Sequence, residues 1–100
     1  MGFAVIVNST KSEISGSLTV EGQSHTFGPI ASGASSKTLG FKAGQVNMKV
    51  DVSNAPHSGS ATGGQFNLAE DGCALLQVTQ NGYVNFFTQS MASQAQRITA

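Results

Sequence analysis

Charge is what this chain has least of. Five Lys or Arg residues balance five Asp or Glu, so charged groups make up 10% of the 100 residues and the net charge is zero; ordinary soluble domains carry about 25%. Without a basic stripe, a run of phosphates cannot be neutralised, which argues against a nucleic-acid partner. The single cysteine, Cys73, excludes an internal disulfide. No apolar run is long enough to span a bilayer, and Met1 to Val7 lacks the basic start and cleavage site of a secretory leader, so it reads as a strand and no targeting segment is expected.

Catalytic spacing is also missing. There is no Gly-x-Ser-x-Gly elbow, and His25 and His57 stand in no fixed relation to any serine. Gly28 to Thr38 has two glycines five apart and a later Lys37-Thr38, but Ala34 occupies the place where a phosphate loop needs its lysine. Cys73 opens an apolar strand and reads as a small buried hydrophobe. Metal-ligating types never pair at diagnostic spacing. The expectation is a chain that is not an enzyme and holds neither cofactor nor metal.

With so few charges, the surface is built from Ser, Thr, Asn, Gln and Gly. Zero net charge removes the repulsion that keeps small domains apart, so another copy of the chain is an expected partner.

The strongest positive signal is Cys73 to Gln89, two strands of β-formers around Asn81-Gly82, the dipeptide favoured in two-residue hairpin turns. A turn at those two residues puts Gln80 opposite Tyr83. Leu76, Val78, Tyr83 and Phe87 then share one face, with Leu75, Val84 and Phe86 on the other. A two-layer fold of this length covers one such face. Leu75, Val84 and Phe86 are therefore the expected interface, covered by a second copy or by the C-terminal segment.

Elsewhere the pattern is also β. Phe3 to Asn8 is a continuous apolar run, Ile14 to Glu21 alternates with Gly16 marking a bulge, and Gln45 to Val52 alternates cleanly. Turns are expected at Asn8-Ser9-Thr10, which is also a glycosylation acceptor, and at Gly22-Gln23. Gly28-Pro29 should end a strand.

Asn54 to Gly64 has no apolar period and reads as the longest loop. Its Asn54, His57, Ser58, Ser60 and Thr62 offer neutral donors and acceptors suited to sugar hydroxyls or lipid head groups. Met91, Ala95 and Ile98 fall at helical spacing, so residues 90–100 read as a short C-terminal helix or a tail behind a single domain over 1–89.

These readings sum to an all-β chain, an antiparallel β-sandwich of seven or eight short strands. Its expected core is Phe3, Val5, Val7, Leu18, Val20, Phe27, Val46, Met48, Val50, Phe66, Leu68, Leu76, Val78 and Phe87. Asn8-Ser9-Thr10 after a first apolar strand, Pro29-Ile30 followed by Gly33 and Ser35, and Gly63-Gly64-Gln65-Phe66-Asn67-Leu68 together resemble the layout of aegerolysin-type membrane-binding β-sandwich proteins. The resemblance implies the same fold class and membrane-surface recognition, and it assigns no site residues. The expected function is a non-enzymatic binding module that presents polar loops and an aromatic hairpin face to a glycan or lipid surface. The alternative is a self-associating structural or assembly subunit with no small-molecule ligand.

Overall fold

Asn8 decides which way the first strand faces. Its side chain is fully buried, and every polar atom of it is used: Nδ2 donates to the carbonyls of Ser12 and Ile30, both at 2.8 Å. Its Oδ1 accepts from the Thr10 N–H at 2.9 Å and the Thr10 hydroxyl at 2.6 Å. A buried amide is tolerated only when satisfied in this way. Because side chains alternate along a strand, Asn8 inside puts Ala4 and Ile6 inside as well. Phe3, Val5 and Val7, expected in the core, are half-buried on the outer face. The same burial leaves the Asn8 amide no room to serve as a glycosylation acceptor in the folded chain.

The structure, a computed structural model, describes residues 1–53, 58–88 and 91–99, and the side chains of these apart from 64–66 and 91–95. Among the described residues are nine strands and no helix: β1 (Gly2–Ser9), β2 (Ile14–Val20), β3 (Gln23–Ile30), β4 (Leu39–Phe41), β5 (Gly44–Val52), β6 (Gly59–Leu68), β7 (Cys73–Thr79), β8 (Tyr83–Thr88) and β9 (Met91–Arg97). They form two sheets, a five-stranded one in the order β4-β1-β7-β8-β9 and a four-stranded one in the order β3-β2-β5-β6. Pairing is antiparallel except between β1 and β7, which run parallel. The all-β expectation holds; wholly antiparallel pairing and a total of seven or eight strands do not.

The four-stranded sheet follows its alternation. Val46, Met48, Val50 and Val52 of β5 are buried while Gln45, Asn47 and Lys49 are exposed, and Leu18 and Val20 of β2 join them inside. The register shifts between Ile14 and Gly16, where the bulge is expected. The two-residue turn with positive φ at both positions is Glu21-Gly22, at +49° and +80°, one residue before the expected Gly22-Gln23. Strand β3 runs through Gly28-Pro29 to Ile30 instead of ending there, because an edge strand can dispense with the proline's missing N–H.

Around Asn81-Gly82 the register is one residue away from expectation. Val78 pairs with Val84, Leu76 with Phe86 and Leu75 with Phe87, leaving three residues, Gln80 to Gly82, outside the Thr79 and Tyr83 positions. Only Gly82 has positive φ in this turn, +87°, whereas the two-residue turn would require it at Asn81 as well. A shift of one residue turns every side chain of the second strand over. Val84 and Phe86, expected on the exposed flank, are therefore in the core, and Phe87, expected in the core, is half-buried outside.

Two further corrections concern the second half. Residues 91–97, expected as a tail or helix, form β9 and extend the five-stranded sheet beside β8. Unpaired β8 backbone offers hydrogen bonds that outweigh a weak helical spacing. Residues 59–64, expected as loop, belong to β6. Its inward positions Ala61 and Gly63 are small because the Phe86 ring, reaching over from the other sheet, occupies the space: a Cβ on Gly63 would lie 2.7 Å from Phe86 Cδ2.

One hydrophobic cluster draws on both sheets, from Ala4, Ile6, Leu76, Val78, Val84 and Phe86 on one to Leu18, Met48, Val50 and Leu68 on the other. Ser60 and Thr99 exchange backbone hydrogen bonds of 2.8 and 3.0 Å, joining the β6 edge to the chain just beyond β9. The opposite edges, β3 and β4, meet through His25 and Phe41, whose rings pack edge to face at 4.7 Å.

Candidate functional site

The outer face of the five-stranded sheet is built by the same parities that fill the core. On β1 it carries Phe3, Val5, Val7 and Ser9; on β7 Cys73, Leu75, Gln77 and Thr79; on β8 Tyr83, Asn85 and Phe87. Pairing lines these up in rows. Phe3 lies beside Cys73, Val5 beside Leu75 and Leu75 beside Phe87, so one apolar row crosses three strands. In the next row Val7 lies beside Gln77 and Gln77 beside Asn85, and the amides are bonded: Asn85 Nδ2 donates to Gln77 Oε1 at 3.1 Å, and Gln77 Nε2 donates diagonally to Ser9 Oγ at 3.0 Å.

None of these outward positions is charged. Leu75 and Tyr83 are 39% and 37% exposed, with Met1 more open still at the Phe3 end. Met1 is held there by its ammonium group, which pairs with the Glu70 carboxylate. Arg97, across from Tyr83 on β9, brings a positive charge to the margin. Such a surface can bury apolar area against another flat neutral surface, with the Gln77–Asn85 amides supplying direction.

Asn54 and His57 lie outside the described residues. Ser58 is exposed, while Ser60 and Thr62 stand on β6 opposite Asp51 and Lys49, on the outer face of the other sheet. Of the expected interface, Leu75 is on the outer face, and Val84 and Phe86 are inside. Cys73 lies exposed on the five-stranded sheet, and His25 belongs to β3 of the four-stranded sheet. Among the described residues no three His, Cys, Asp or Glu side chains gather as metal ligands.

Sequence reasoning missed Phe3, Val5, Val7, Tyr83 and Phe87 as surface residues. The available signal was Asn8: an amide at the end of an apolar run, followed by Ser-Thr, is a side chain able to cap its own turn, and that turns the even residues inward. Comparison with protein-family models, curated proteins and solved structures finds no match to this chain.

Proposed function

We propose that the two sheets stack as a sandwich and that the chain is a non-enzymatic binding module, pairing with a second copy of itself through the outer face of the five-stranded sheet. The observation that carries this reading is the outward-facing Val5, Leu75, Phe87 row, in which Leu75 is exposed and its two neighbours are half-buried. Parallel strands such as β1 and β7 are usually covered on both faces, and here the outer face of the pair is apolar over Phe3, Val5, Val7 and Leu75. Inside, Ile6, Leu76 and Phe86 are covered by the core. Outside, a partner would supply the missing cover.

A second copy suits the surface for an electrostatic reason. The outward positions of β1, β7 and β8 carry no charge, with Arg97 only at the margin, so a symmetric contact centred on Leu75 places no like charges in opposition at its centre, and two-fold interfaces are built from one patch meeting its own copy. Light scattering after size-exclusion chromatography tests the reading. The wild-type chain should elute at twice its 10.2 kDa mass, and Leu75→Lys should bring it to one chain with an unchanged circular dichroism spectrum. A wild-type mass of one chain at high micromolar concentration sinks the proposal. Liposome flotation and glycan binding run alongside, and capture by either in a Leu75-dependent way would move the partner from a second copy to that surface.

A further inference from the structure

A cleft of about 380 Å³ opens between β3 and the crossover that follows it, with Phe27, Ile30 and Leu39 as apolar lining and Thr26, Ser35 and Lys37 as polar lining. Its opening has a cause in the sequence. Between Phe27 and Ile30, β3 spends two residues, Gly28 and Pro29, where β2 spends only Ser15, so the edge strand bulges away from the ladder. The facing wall cannot follow it. Residues 33–36 are tied to β1 by hydrogen bonds from Gly33 N to Asn8 O, Asn8 N to Ala34 O and Ser36 N to Ile6 O, all of 2.8 to 2.9 Å. The Ser36 hydroxyl accepts from Ile6 N at 3.0 Å. Below the cleft, the His25–Phe41 contact holds the two edges together.

Of the polar side chains in the cleft, only the Ser36 hydroxyl is spent, on Ile6 N and the Lys37 carbonyl. Among the described residues Lys37 has no ion-pair partner, and the Thr26 and Ser35 hydroxyls have no hydrogen-bond partner. No acidic residue lines it. Two other clefts, of about 320 and 350 Å³, are each lined by Glu21 together with a lysine, Lys49 in one and Lys42 in the other. The first therefore differs from these in carrying a cation with no anion in its own lining.

We propose that this cleft binds a small monocarboxylate bearing one short alkyl chain or single ring, the carboxylate held by Lys37 with the Ser35 or Thr26 hydroxyl and the tail laid on Phe27, Ile30 and Leu39. The volume lies at the lower end of the roughly 300 to 1,000 Å³ of small-molecule sites. One lysine matches one negative charge. A phosphate dianion would keep an unmatched charge beside an apolar floor, and the lining has neither an arginine fork nor a helix N-terminus to take it. This site and the self-association face are different surfaces, so either proposal can fail without the other.

Octanoate below its micelle concentration is the probe, with octanol and octylamine as its neutral and cationic counterparts, titrated against the ¹⁵N-labelled chain. Octanoate should produce saturable shifts confined to residues 26–30 and 35–39, with octanol at least about tenfold weaker, as expected for one charge-assisted hydrogen bond. Lys37 is exposed, so its variants should fold. Lys37→Gln should reduce octanoate binding to the octanol level, and Lys37→Glu should reverse the preference in favour of octylamine. Saturable shifts elsewhere, no shifts at all, equal binding of octanol, or an unchanged affinity in Lys37→Gln would each overturn the proposal.

Discussion

The Phe86 ring of β8 lies directly over the bare backbone of Gly63 on β6, so close that a methyl group at Gly63 would sit 2.7 and 2.8 Å from two ring carbons. This contact joins the sheets through the largest of the fully buried side chains. A single added carbon should therefore act as a wedge. Gly63→Ala is expected to cost about 1 to 3 kcal/mol in urea unfolding, as overpacked cores do. Phe86→Leu in the Gly63→Ala background should recover part of that loss, although Phe86→Leu alone destabilises. Simple additivity of the two would show that the sheets do not touch there.

Asn8 supports a second prediction. Asn8→Ala takes the amide donor from the Ile30 and Ser12 carbonyls, of which Ser12 keeps the Thr10 hydroxyl within reach, and leaves the Thr10 N–H without its acceptor. A loss of at least about 2 kcal/mol is expected from the unsatisfied groups. Asn8→Asp should be no better, since it turns a carboxylate oxygen toward two carbonyls. Chemical denaturation of both variants measures this, and a loss below half a kilocalorie in either would remove Asn8 from its assigned role.

Contrasting substitutions on the hairpin test its register. Leu75→Lys, on the outer face, should change monomer stability by no more than about 0.5 kcal/mol. Val84→Lys, which the two-residue turn would have placed on the surface with Leu75, should unfold the chain by burying an unpaired ammonium. If Val84→Lys folds and Leu75→Lys does not, the second strand faces the other way.

The turn itself can be probed at Gly82, whose φ of +87° strains any side chain. Gly82→Ala should cost about 1 to 2 kcal/mol. Gly82→Asn should cost less, because asparagine enters the left-handed region more readily. Thermal unfolding ranks the three, and an alanine variant as stable as wild type would mean the turn has another geometry.

How much of this was legible depended on whether one parity of a strand was polar. β5 was read correctly because Gln45, Asn47 and Lys49 leave Val46, Met48 and Val50 no choice of side. β1 and β8 were not, because Phe3 to Val7 and Val84 to Phe87 are apolar at both parities, and the decision rests on Asn8 and on one residue in a turn. β6 was hidden for a different reason. Its inward Gly63 is bare to receive Phe86, and size complementarity between strands far apart in sequence leaves no hydrophobic period over residues 59–64. The cleft at Lys37 arises in the same way, from a bulge in one strand and a tether on another. Sequence reasoning had Gly28 and Pro29 in view as a strand end, and Gly28 to Thr38 as a phosphate loop that failed.

The parallel pairing of β1 with β7 has a consequence for how the molecule is made. Phe3 finds its neighbour at Cys73, whereas every strand of the four-stranded sheet is complete by Leu68. As the chain leaves the ribosome, β2, β3, β5 and β6 can associate while β1 has only the short β4 and the crossover at its side. Non-local pairing of this kind closes a large loop before it gains contacts, which slows folding. Until β7 emerges, the Val5 face and the Ile6 face are both bare, so the interval between synthesis of Leu68 and Thr79 is when this neutral chain is most open to premature association with its own kind.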